Sequence, residues 1–133
     1  MNALGRIAPL LGRILIALLF IPAGISKLAG FSGTVSYVAA KGLPLPALAA
    51  AGAIVIEIGV ALALLLGYKA RWAALILALF TIVTAVLFHD FWTVPADQQM
   101  AQSINFFKNL AIAGGLLFVV AFGAGAKSLD KAG

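Results

Sequence analysis

The stretch from Ala47 to Gly67 reads ALAAAGAIVIEIGVALALLLG, an apolar run long enough to cross a bilayer and interrupted by one charged residue, Glu57. A hydrocarbon core of about 30 Å needs about 20 helical residues, so this segment predicts a transmembrane helix with a carboxylate near its middle. Three further apolar stretches follow the same rule. The first span is read from about Pro9 to Leu28, the second from about Pro46 to Leu66, the third from about Trp72 to Phe91 and the fourth from about Ser103 to Phe122. Continuous apolar runs exclude a membrane barrel, whose strands alternate polar and apolar residues. The expected fold class is therefore all-α: one integral membrane four-helix bundle over residues 1–133, with no separate soluble domain.

Composition agrees with that reading. Of 133 residues, 64% are hydrophobic and 10% charged, and the mean hydropathy is +1.15. The net charge of +5 is dispersed between apolar spans, which argues against a nucleic-acid partner and for a topology signal. Arg6 and Arg13 precede the apolar stretch of the first span, Lys69 and Arg71 fill the second connection, and Lys127 and Lys131 lie in the tail. On the other side, Lys27 and Lys41 are balanced by Asp90 and Asp97. Both termini are expected in the cytoplasm. A secretory leader is a second reading of the N-terminus, since a basic start and an apolar stretch end in Ala23 and Gly24; residues from Pro9 onward extend that stretch to a full span.

The connection from Phe31 to Leu45 is longer than a turn. Thr34 to Ala40 predicts a short helix lying in the interface, with Phe31 and Tyr37 as anchors, and a loop is the alternative. Pro22 inside the first span removes a backbone donor and predicts a kink. Gly52, Gly59, Gly114 and Gly115 are expected to permit close helix contact.

The chain has no cysteine and one histidine, His89. Thiolate metal sites, iron–sulfur clusters and an internal thiol relay are excluded, and haem is poorly supported because Met100 would be the partner ligand. Nucleotide-binding fingerprints are absent. The chemistry must come from polar residues at membrane depth, which face the bundle interior and find partners. Lys27 ends the first span on the outer side, Glu57 lies midway along the second, His89 ends the third, and Asn105, Lys108 and Asn109 lie in the outer half of the fourth. These residues are expected to line one cavity open to the outer face. The competing reading has Lys27 and Lys108 snorkelling to headgroups and Glu57 acting as a paired structural ion.

Pro22-Ala-Gly-Ile-Ser-Lys27-Leu-Ala-Gly-Phe31, Gly42-Leu-Pro44, Glu57-Ile-Gly59, His89-Asp-Phe-Trp92, Lys108-Asn109 and the terminal Gly125-Ala-Lys-Ser128-Leu-Asp130 together resemble the DoxX family of small bacterial membrane proteins, over nearly the whole chain. The resemblance implies a four-span inner-membrane protein tied to redox physiology. The family takes its name from a subunit linked to thiosulfate:quinone oxidoreductase, and relatives are associated with quinone or catechol stress and with membrane-anchored oxidoreductase complexes. Relatives that work near disulfide chemistry use cysteines; this chain has none. Three functions follow as expectations. The first is a quinone-binding, quinone-linked oxidoreductase subunit, with Glu57 and His89 handling protons and Lys27, Asn105, Lys108 and Asn109 binding the ligand. The second is an anchor or assembly partner of an oxidoreductase, and the third a small-solute or proton pathway. The bilayer, an oxidoreductase and a second copy of the chain are the candidate partners.

Overall fold

The computed structural model describes residues 2–131. Four long helices carry the bundle: α1 (Ala3–Ala29), α3 (Pro46–Leu66), α4 (Ala70–Phe88) and α5 (Ala96–Phe122). A fifth, α2 (Phe31–Ala40), joins α1 to α3, where the sequence predicts an interfacial helix. Each of the four is long and apolar enough to cross a membrane. Leu15, Leu48, Leu62, Leu79, Phe118 and other large apolar side chains point outward, toward acyl chains. An even number of spans returns both described ends to one face, which carries Arg6, Lys69, Arg71, Lys127 and Lys131 and is cytoplasmic by the distribution of cations.

Helices α1 and α5 extend beyond their expected starts, to Ala3 and Ala96. The polar first turns Ala96–Gln102 lack the hydropathy of a span yet continue its helix, with Pro95 immediately before them, where the lost N–H costs nothing. Helix α1 runs through Pro9 and Pro22 without a break. Helix α3 carries an irregularity, where Val55–Val60 forms a π-helical segment. Such segments add a residue to a turn and recur at functional sites, and this one contains Glu57.

The core is small-residue packing around a few large side chains. Phe20, Leu64, Leu77 and Leu116 interlock with Ala61, Ala73, Ala74, Ala78 and Ala113. In lipid, helix association depends on this close van der Waals fit rather than on hydrophobic burial. The alanines supply it, together with Gly24: a Cβ placed there would lie 2.6 Å from Ile58 Cγ1 and 3.0 Å from Glu57 Cβ. The expectation for Gly52, Gly59, Gly114 and Gly115 is corrected, because a Cβ on any of them would meet nothing within 4 Å. Among the described residues, none of the four sits at a close helix contact.

The cytoplasmic face is tied together by side chains that satisfy helix ends. Arg13 is 1% exposed, so it is no free topology cation. Its guanidinium donates to Leu64 O at 3.3 Å and Leu65 O at 2.5 Å, and to Lys127 O. Arg71 donates to Val120 O at 3.1 Å and Ala121 O at 2.5 Å at the end of α5. In return, Asp130 accepts from the N–H groups of Lys69 at 2.7 Å and Ala70 at 2.8 Å, at the start of α4. The contacts to Leu64, Leu65, Val120 and Ala121 and those from Lys69 and Ala70 place each charge where the helix dipole favours it, and the contact to Lys127 O holds the tail. The tail after α5 thereby folds back over the α3–α4 turn, with Leu129 N donating to Leu66 O and Asp130 N to Gly67 O. Gly67 has φ of +70°, and a Cβ there would lie 2.3 Å from Ser128 Cβ. Only glycine fits.

Candidate functional site

At the opposite end the helices enclose a cavity of about 300 Å³. Each contributes at helical spacing: Phe20 and Lys27 from α1, Thr34, Tyr37 and Val38 from α2, Ala50, Ala53 and Glu57 from α3, Thr81, Thr84 and Phe88 from α4, and Asn109 and Ile112 from α5, with His89 just beyond α4. The walls are mostly apolar and carry a few convergent polar groups, the usual character of a small-molecule site.

At its centre, Lys27 Nζ lies 3.0 Å from Glu57 Oε1. Glu57 is 6% exposed, and its second oxygen, Oε2, is buried without a hydrogen-bond partner. The pair links α1 to the π-helical segment of α3 where Gly24 lets the two backbones approach. A larger residue at 24 would push Glu57 away from the helix that carries its partner.

The other polar groups are held in place by neighbours. His89 Nδ1 lies 2.9 Å from Gln102 Oε1. Thr81 Oγ1 donates to Leu77 O at 2.6 Å, and Thr84 Oγ1 to Thr81 O at 3.1 Å. Asn109 Nδ2 reaches Thr81 O at 3.4 Å, and Thr34 Oγ1 donates to Lys27 O at 3.2 Å. Helix α2 covers the cavity from the outer side. Its ring at Tyr37 stacks on Phe88, with centroids 5.4 Å apart, and Lys41 Nζ reaches Asp90 Oδ1 at 3.2 Å. The Thr93 hydroxyl and then Lys41 hold the Asp90 carboxyl below the usual carboxylate range.

Of the six residues singled out from the sequence, Lys27, Glu57, His89 and Asn109 line this cavity, while Asn105 and Lys108 do not. The inward stripe of α5 runs through Gln102, Phe106, Asn109, Ala113 and Leu116, at alternating spacings of four and three. Phe106 occupies the inward position one turn before Asn109, and Asn105, one residue earlier, is turned outward and exposed. Lys108 is exposed for the same reason. Sequence reasoning also missed Thr34, Tyr37, Thr81, Thr84 and Gln102. Thr81 and Thr84, three residues apart in an apolar span, were the available signal.

Comparison with known proteins gives the family. A family model described as DoxX matches residues 8–90, a range containing Lys27, Glu57 and His89. Inner membrane protein YphA of Escherichia coli K12 is 42% identical over 122 residues, covering 92% of this chain and 87% of that protein. Inner membrane protein YqjF of the same organism is 40% identical over 134 aligned residues, covering 98% and 95%. A Surfeit locus protein 4 homolog of Drosophila melanogaster is 41% identical over 70 residues, half of this chain but 25% of that protein. No solved structure matches. With four membrane-spanning helices and full-length likeness to two inner-membrane proteins, the chain belongs to the DoxX family and is a multi-pass protein of the inner membrane.

Proposed function

We propose that this protein is a membrane redox component that binds a quinone, or a similar small apolar redox molecule, in the cavity around Lys27 and Glu57. The observation that carries the reading is the meeting of an ion pair with a buried carboxylate, a histidine and aromatic walls in one space within the apolar span region. A cavity of about 150 Å³ holds a benzene ring, so about 300 Å³ suits one substituted ring with its tail in lipid. Lys27 and the free amide hydrogen of Asn109 are donors for ring oxygens. Glu57 is the proton-handling group at the inner end, and His89 is the group through which protons exchange with the outer surface. The sequence has no cysteine and a single histidine, and this reading places the electron carrier outside the chain. On this reading electrons pass to or from a partner oxidoreductase, or between redox molecules bound in turn.

The test fills the cavity. Thr84→Phe places a ring among the lining residues while its backbone stays within α4. Equilibrium dialysis of a short-chain quinone against protein in nanodiscs, with empty nanodiscs as the partition control, should show saturable binding at one site. The variant should lose at least about tenfold in affinity, about 1.4 kcal/mol, with helical content unchanged. Absence of saturable binding to the wild type contradicts the proposal.

A further inference from the structure

Resting on the ring-binding reading above, the polar inventory of the cavity specifies which redox form it holds. Among the described residues, Glu57 Oε2 and Arg13 Nε are the buried side-chain polar atoms without a partner, and Glu57 is one of the residues that line the cavity. A carboxylate oxygen is an acceptor, and leaving it buried and unpaired costs more than leaving a neutral group so. Lys27 already donates to the other oxygen. The missing partner is a hydrogen donor.

The remaining groups point the same way. With Gln102 Oε1 accepting from His89 Nδ1, the neutral ring presents Nε2 as an acceptor. The hydroxyl hydrogens of Thr34, Thr81 and Thr84 are directed to backbone carbonyls, which leaves their oxygens as acceptors. Asn109 spends one amide hydrogen on Thr81 O and keeps its carbonyl free. The donors left over are Lys27, one amide hydrogen of Asn109 and the Tyr37 hydroxyl. An oxidised quinone brings acceptors only, and its carbonyl against Glu57 Oε2 would set lone pair against lone pair. A hydroquinone or related phenol brings an O–H to that oxygen, and a hydrogen bond from hydroxyl to carboxylate is among the strong ones.

We infer that the site selects the reduced, hydroxyl-bearing form of an aromatic redox molecule, with one phenolic O–H donated to Glu57 Oε2. No bond is made or broken in this step.

The test compares three molecules of one shape: durohydroquinone, duroquinone and the dimethyl ether of durohydroquinone. Full ring substitution prevents addition of lysine amines to the quinone. Binding is measured anaerobically by equilibrium dialysis on the full chain in nanodiscs. The hydroquinone should bind at least about tenfold tighter than the quinone or the ether, and Glu57→Gln should reduce that ratio to within about twofold. The comparison of ligands on the wild type stands even if the variant fails to fold. Equal wild-type affinities for hydroquinone and quinone overturn this inference and leave the ring-binding reading in place. Failure of all three to bind overturns both.

Discussion

Lys27→Met should destabilise the bundle by about 3 kcal/mol, the low end of what breaking a buried ion pair costs, because the Lys27 side chain is 36% exposed against 8% for Glu57. The loss arises from what remains. Without Lys27, both oxygens of Glu57 are buried in the π-helical segment with no partner. Glu57→Leu should cost less, about 1 kcal/mol, since a partly exposed lysine at the end of α1 can extend its ammonium to the headgroups. The double variant should recover most of the Lys27→Met loss, as replacing both members of such a pair is often near neutral. Unfolding in mixed micelles with increasing dodecyl sulfate, followed by Trp72 and Trp92 fluorescence, measures all three. Equal losses for the two single variants, summing in the double, would mean that the pair is not coupled.

Arg13→Met is expected to cost about 3 kcal/mol, corresponding to about two hydrogen bonds to a charged group at the weak end of their range. The guanidinium binds the last carbonyls of α3 and the carbonyl of Lys127 together. Its removal therefore frays a helix end and frees the tail at once. Limited proteolysis with trypsin distinguishes this from general destabilisation: cleavage after Lys127 should rise at least several-fold under conditions where the spans stay folded. Asp130→Asn should give a weaker version of the same effect, since the amide still caps Lys69 and Ala70 but loses its favourable charge at the start of α4. A tail as resistant in Arg13→Met as in the wild type would contradict the latching of the tail by Arg13.

The part of this architecture legible in the sequence is the part set by the bilayer. Hydropathy alone separates the four spans, and the cost of a charge at membrane depth marks Glu57 and Lys27 by residue type and chain position alone. Residues at span ends are harder to place. Arg13 resembles a topology cation because the positive-inside rule counts charges by chain position, whereas its guanidinium fills a gap between α3 and the tail that only tertiary packing creates. Asn105 fails for a geometric reason. It shares a helix face with Asn109 within the breadth of a helical stripe, but Phe106 is the residue whose angle meets the core. Gly24 reads in the sequence only as a small residue of span one, yet its role belongs to α3, in the room it leaves for Ile58 and Glu57. The π-helical segment itself has no sequence signature here, since Ile56-Glu57-Ile58 suits an α-helix equally well.

Photolabelling tests the central claim, that the polar convergence around Lys27 and Glu57 is a ligand site, most directly. An azido-substituted short-chain quinone is irradiated with the protein in nanodiscs, and the adducts are mapped by mass spectrometry. The account predicts attachment at cavity-lining residues of α2 and α4, Tyr37 and Phe88 among them, competed by unlabelled ligand and lost in Thr84→Phe. Labelling confined to lipid-facing positions such as Leu62 and Phe118, indifferent to competitor and to the cavity-filling variant, would contradict it.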